Sequence, residues 1–158
     1  MDFFLRVPED DRYYLKEDVT SPEVVGGWIE HMDYSRALPL IALDNQRIVA
    51  DGTLHRRRAG ARSHLAEIRI VVDPEYRSKG VGSALMRELI SIAEDSGLEK
   101  VIFELVADEQ ADAKAAASSL GFVQLSIIPN HIKDLRGRLH DLLIMELPLG
   151  KWRQWWNF

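Results

Sequence analysis

The chain contains no cysteine. Disulfides, a thiolate nucleophile and any cysteine-held metal or iron–sulfur centre are therefore excluded, while the redox compartment stays open. Proline is sparse, at 6 of 158 residues, and 46% of the chain is hydrophobic, so wholesale disorder is excluded as well. Long apolar runs are missing: nothing approaches the roughly 20 residues a membrane helix needs. The opening "MDFFLRVPEDDRYY" has acids where a secretory leader needs a basic start and an apolar stretch. A basic surplus is missing too. The formal net charge of −5 speaks against a general nucleic-acid binder, though not against local capture of a small anion. The expectation is a soluble, cytoplasmic protein with no nucleic-acid and no membrane partner.

What is present fits one domain over residues 1–150, followed by a tail of different character, "KWRQWWNF", within 151–158. "FFLRV" reads as a short first strand. "SPEVVGGWIEHM" reads as a helix, with Ser21 as N-cap and Pro22 in its first turn. "ALPLIALD" and "RIVADGTLH" are two strands joined by a turn at Asp44-Asn45, and "RRRAGAR" is a polar hairpin tip. "HLAEIRIVV" is apolar enough at its end to be central in a sheet. Then Val81, Leu85, Leu89 and Ile92 recur at helical spacing, with Met86, Ile90 and Ala93 beside them, until Gly97. "KVIFELVA" is a strand. "DEQADAKAAASSLGF" is a helix with Asp108 as its cap and Gly121 as its stop. "VQLSIIP" and "HDLLIMEL" are strands separated by a loop, "NHIKDLRGRL". The fold class predicted is α+β, or α/β with one mixed sheet flanked by helices.

The most informative stretch is "VVDPEYRSKGVGSALM", where a strand turns into a helix. Gly80 and Gly82 let a ligand approach the backbone closely. Helix amides that begin there have no intrahelical partner, and with the helix dipole they suit a phosphate. Arg77 and Lys79 add positive charge. Spacing alone leaves a plain strand-to-helix turn with solvent-facing charges equally open. Neither familiar nucleotide motif is satisfied: Leu85 stands where G-x-G-x-x-G needs its third glycine, and no G-x-x-x-x-G-K-[ST] occurs.

The same stretch resembles the signature of the GCN5-related N-acetyltransferases, [QR]-x-x-G-x-[GA] opening a helix after a central strand, with Arg77, Gly80 and Gly82 at its core positions. The segment "GLEKVIFELVADEQADAKAAASSLGF", with Gly121-Phe122, is similar to the family's next strand and helix, and "GRLHDLLIMEL" to its final strand. The resemblance covers about Arg47 to Leu147. It implies acetyl-coenzyme A (acetyl-CoA) as cosubstrate and a pyrophosphate cradle at Arg77, Ser78, Lys79, Gly80, Val81, Gly82 and Ser83. By the same resemblance, Ile70, Val71 and Val72 would bind the pantetheine arm, with an amide near Val71 facing the thioester oxygen. Gln110 stands near a position the family often fills with Asn.

Acetyl transfer to an amine requires removal of the ammonium proton. Glu67, a carboxylate inside the central strand, is the first candidate base, and alternation places it on one face with Arg69 and Val71. An exposed ion pair on an open sheet face is the competing reading. The family's usual proton-donating tyrosine falls at Ala117, so that role is vacant here. His64, His131 and His140 are further acid or base candidates. His131, expected in the loop before the last strand, is next in line as a catalytic residue. His140 beside Asp141 reads as orienting a turn. No metal-ligand spacing stands out, so no metal is expected. Arg56, Arg57, Arg58 and Arg62 read as a solvated hairpin tip. Trp152, Trp155 and Trp156 read as covering a domain edge or a homodimer contact, with lining of the acceptor pocket as the alternative.

These features converge on an acetyl-CoA-dependent N-acetyltransferase. Its acceptor is expected to be a primary amine of a small or amino-acid-like molecule. Alternatives are a protein or peptide N-acetyltransferase and a non-catalytic CoA-binding module.

Overall fold

The computed structural model describes residues 2–155, with side chains to residue 153. Three short helices come first: α1 (Asp2–Arg6), α2 (Glu9–Tyr13) and α3 (Pro22–Glu30). A hairpin of β1 (Ala37–Asp44) and β2 (Arg47–Arg56) leads to β3 (Leu65–Val72), a 3-10 turn at Pro74–Tyr76, and α4 (Val81–Asp95). Then follow β4 (Lys100–Val106), α5 (Ala111–Ser119), β5 (Val123–Lys133), β6 (Leu139–Pro148) and α6 (Trp152–Trp155). The strands form one mixed sheet in the order β1-β2-β3-β4-β6-β5. The architecture is α+β, one mixed sheet flanked by helices, as expected from the sequence.

Among the described residues only the β3–β4 pair is parallel, and its ladder is short. It runs from Leu65 opposite Lys100 to Ile68 opposite Phe103 and stops. Beyond that point β3 stays paired to β2 as far as Val72, and β4 to β6 as far as Val106. The two central strands therefore part into a fork, and the turn into α4 hangs from one prong.

One face of the sheet is covered by α4, whose Leu85, Met86, Leu89, Ile90 and Ala93 are buried at the predicted three- and four-residue steps. Met86, Leu89, Ile90 and Ala93 join Leu54, Ile68, Val101, Phe103, Met145 and the α5 residue Ala117 in a single apolar core. Gly52 keeps this contact close, since a Cβ there would sit 3.1 Å from Leu89 Cδ1. The opposite face is polar on β2 and β3. There His55 pairs across from Glu67, Thr53 from Arg69 and Asp51 from Val71. The N-terminal segment lies on the protein through buried Phe3, Val7 and Val19. Asp73, 1% exposed, fastens it by accepting from Arg6 Nε at 2.7 Å and Arg47 Nη2 at 3.0 Å.

Several sequence expectations are corrected. "FFLRV" is helical: Phe3 and Val7, four residues apart, are both buried, a helical spacing that five residues display ambiguously. Asp108 is not the cap of α5; Gln110 is, and Asp108 is engaged with His140 instead. His131 is not in a loop. β5 continues to Lys133 through an irregularity between Ile128 and Ile132, absorbing Pro129 and the left-handed Asn130 (φ 52°). Proline is tolerated there because β5 is an edge strand. His140 does not orient a turn; it is a buried residue of β6.

Candidate active site

The turn from β3 into α4 has a backbone shaped by two left-handed residues, Ser78 (φ 56°) and Gly80 (φ 82°). Gly80 is the N-cap of α4 and supplies no side-chain cap. The first intrahelical bond of α4 is Ala84 N–H to Gly80 C=O at 2.9 Å, so the amides of Val81, Gly82 and Ser83 precede it. A Cβ on Gly80 would meet nothing within 4 Å, whereas one on Gly82 would lie 3.4 Å from Val72 Cγ2. The cradle is thus open on its outer side and tight against β3. Lys79 Nζ lies over the Tyr76 ring at 5.1 Å, and Tyr76 is anchored through its hydroxyl to Asp44 at 2.7 Å. Arg77 turns back, donating through Nε to Val72 C=O at 3.2 Å and through Nη2 to Asp11 at 2.7 Å. Unpartnered helix amides, a glycine in the left-handed region and nearby cations fit a pyrophosphate.

At the fork, Glu67 on β3 and Glu104 on β4 are joined by one cation. Lys16 Nζ donates to Glu67 Oε1 at 2.7 Å and to Glu104 Oε2 at 3.2 Å. Arg69 Nε also donates to Glu67, at 2.8 Å. Burial pushes the Glu67 carboxyl up, but the bonds from Arg69 and Lys16 outweigh it and hold the pKa below the usual range. Glu67 is therefore a carboxylate at neutral pH. Across the sheet, burial and the nearby Arg69 lower the His55 pKa, favouring a neutral ring. Burial also raises the Asp51 carboxyl to about 6.

A second polar cluster closes the far side of the fork. Tyr14 donates its hydroxyl to Glu109 at 2.7 Å, and burial together with that bond keeps the phenol protonated. Buried His140 lies between Asp108, 2.9 Å from Nδ1, and Asp134, 3.3 Å from Nε2. These carboxylates raise its pKa. Glu109, Asp134 and His140 each offer a ligand atom, all within 4.8 Å of one another. Arg138 adds positive charge at this spot, its Nε donating to Asp134 at 2.6 Å.

The other sequence-predicted residues fall as follows. Ile70, Val71 and Val72 form the β3 prong. Gln110 accepts from Val106 N–H at 2.7 Å, so its side-chain carbonyl closes the end of β4. His131 is on the exposed edge strand, away from the fork. Ala117 is fully buried in the core and leaves no hydroxyl there. Arg56 donates to Tyr34 and Ser35 carbonyls, and Arg58 to Asp33, so the arginine-rich tip ties down the loop after α3. Trp152 is 39% exposed, and Lys151 Nζ lies 5.3 Å from its ring centre. The Trp155 side chain and Trp156 lie outside the described residues. Glu104 was legible as a lone carboxylate in an apolar strand, the same signal that pointed to Glu67. Lys16 had no such local signal.

Residues 3–122 match the family model described as Acetyltransferase (GNAT) family. The chain belongs to this family. Acetyltransferases of this family use acetyl-CoA as cosubstrate. Among curated proteins, the chain is 39% identical over 81 residues to the [ribosomal protein bS18]-alanine N-acetyltransferase of Escherichia coli (strain K12). That match spans 51% of this chain and 53% of the relative, about half of each. Among solved structures, the ribosomal-protein-alanine N-acetyltransferase from Brucella melitensis superposes with a TM-score of 0.79 at 22% identity, covering 92% of this chain and 93% of that one. A phosphinothricin acetyltransferase from Sinorhizobium meliloti, in complex with acetyl-CoA, superposes with a TM-score of 0.77 at 22% identity, covering 90% and 80%. No helix among the described residues is long and apolar enough to cross a membrane.

Proposed function

We propose that the protein transfers the acetyl group of acetyl-CoA to an amine of a protein or peptide acceptor. The carrying observation is the fork: a glycine cradle at the end of one prong and two carboxylates, Glu67 and Glu104, at its base. Acetyl-CoA supplies an activated acyl group on a good leaving thiol. The amides of Val81, Gly82 and Ser83 receive its pyrophosphate, with Lys79 and Arg77 adding charge. An amide near Val71 donates to the thioester oxygen as charge develops on it. Glu67, ionised at neutral pH, takes the proton of the incoming ammonium, directly or through water. Its lowered pKa makes it a weak base while Lys16 and Arg69 hold it, so a change in those contacts would strengthen it.

The sequence alone favoured a small amine as acceptor. The name of the E. coli relative favours a protein α-amine instead, and that acceptor is the one proposed here. The test is mass spectrometry of acetyl-CoA reactions with three pools: peptides bearing free N-termini, the same peptides N-blocked but carrying lysine, and small amines. Acetylation of the free N-termini alone is expected. Modification confined to small amines would overturn the acceptor class, and CoA binding without turnover would make the protein a binding module.

A further inference from the structure

The chain presents its own primary ammonium where an acceptor amine is needed. Glu67 and Glu104 are the only carboxylates on β3 and β4, Glu67 in the last part of the parallel ladder and Glu104 just past its end, so both stand at the base of the fork. Both bind Lys16 Nζ. Lys16 arrives on a strap held down at three points. Asp11 is paired with Arg77 beside the cradle at 2.7 Å, Tyr14 is bonded to Glu109 beyond β4 at 2.7 Å, and Glu17 accepts from Trp28 Nε1 at 2.6 Å. The strap therefore crosses from the cradle side to the β4 side and delivers one lysine to the base of the fork. Other lysines are placed differently: Lys79 stacks on Tyr76, Lys100 pairs with Glu146 at the joined end of the fork, and Lys151 stacks on Trp152.

Resting on the transferase reading above, we propose that Lys16 is a self-acetylation site, modified in cis by acetyl-CoA bound in the same molecule. The ammonium gives one proton to the Glu67 or Glu104 carboxylate, which passes it to water. The freed nitrogen lone pair forms the C–N bond to the thioester carbonyl carbon. The C–S bond breaks with its electron pair on sulfur, and the nitrogen's second proton balances the departing thiolate as CoA thiol. The product, an N-acetyl-lysine, has no positive charge. Glu104 thereby loses its bonded cation and Glu67 keeps only Arg69. The carboxylate pair is then available to an acceptor's ammonium, so modification of Lys16 vacates the acceptor position.

The experiment incubates the full chain with deuterium-labelled acetyl-CoA across a 50-fold range of protein concentration. Intact mass and peptide mapping are followed in time, and acetyl-CoA binding is titrated in parallel by calorimetry. One labelled acetyl on Lys16 is expected, with a first-order rate constant that does not change on dilution. Lys16→Arg, which keeps a cation for both carboxylates, should abolish that label and still bind acetyl-CoA. Acetyl-CoA binding with Lys16 unmodified overturns this proposal alone. So does label spread at similar rates over Lys79, Lys114 and Lys133, or a rate constant that rises with protein concentration. Failure to bind acetyl-CoA overturns the transferase reading, and self-acetylation with it.

Discussion

Asp11 Oδ2 lies 2.7 Å from Arg77 Nη2, so a carboxylate of the N-terminal segment holds the guanidinium that heads the cradle. An incoming pyrophosphate competes with Asp11 for that charge. Both side chains are substantially exposed, at 44% and 41%, which limits the pair to about 1 kcal/mol. Asp11→Asn should therefore tighten CoA binding by up to about fivefold, read as Kd by calorimetry. An unchanged or weaker Kd would show that Arg77 serves the fold rather than the coenzyme.

The cradle's glycines act in different ways, and substitution should separate them. Gly80→Val places a β-branched residue in the left-handed region at φ 82°, a conformational cost of about 1–2 kcal/mol or more. It should lower the Tm as well as CoA affinity. Gly82→Val instead crowds Val72 at the β3 prong and should weaken CoA binding more than Lys79→Ala does. Thermal melts and calorimetric titrations of the three variants give both readouts.

Glu67→Gln should reduce kcat by about 100-fold or more at neutral pH while leaving CoA affinity nearly unchanged. Because Lys16 and Arg69 hold the Glu67 pKa down, the acid limb of kcat/KM should fall below the ordinary glutamate range. Lys16→Met, like acetylation of Lys16, should move that limb upward. A Glu67→Gln enzyme with the parent rate and profile would transfer the base role elsewhere, and His131→Ala and His55→Ala variants would then be compared.

His140 provides a pH signature in stability. Its folded-state pKa is raised above the ordinary 6.5 by bonds to Asp108 and Asp134, against an opposing effect of burial. The stabilisation is thus complete below about 6.5 and is lost as pH rises through the folded value. The Asp134 carboxyl is pushed up by burial but held lower still by Arg138, His140 and two backbone amides, so its contribution is lost only in strong acid. The Tm difference between the parent and His140→Asn should shrink as pH increases from 6 to 9. A difference that stays constant over that range would contradict a charged His140.

Removing residues 151–158 tests the tail. Arg153 approaches Glu94 at 3.9 Å and Leu120 C=O at 3.5 Å, while Trp152 keeps 39% exposure. A modest loss of Tm is expected, and sedimentation over a concentration series shows whether the exposed tryptophan belongs to a homodimer. A single monomeric species in the parent would remove that assignment.

Periodicity and turn chemistry revealed most of the architecture. The α4 spacing, the Ser21 cap, which accepts from Val24 N–H at 3.3 Å, and the Asn45 turn were all legible because each depends on neighbours in sequence. The glycine turn from β3 into α4 was legible for the same reason. Pro129 hid the continuation of β5, because a residue that usually ends a strand is harmless at an edge. What local pattern cannot carry is pairing across the chain. Lys16 meets Glu67 across 51 positions and Glu104 across 88, and His140 meets Asp108 across 32. Those contacts make the difference between a carboxylate in a strand and a carboxylate with a job.

The short parallel ladder has a mechanical meaning. The sheet is two three-stranded plates, β1-β2-β3 and β4-β6-β5, welded along four residue pairs at one end. Where that weld ends, the Lys16 clamp ties the plates together, bridging Glu67 within the ladder and Glu104 just past it. A pantetheine arm lying between the prongs would act as a splint, turning a hinge into a continuous span. Ligand binding should then slow amide exchange on β3 and β4 together, on both plates at once, although a cradle at the tip of one prong touches only the first.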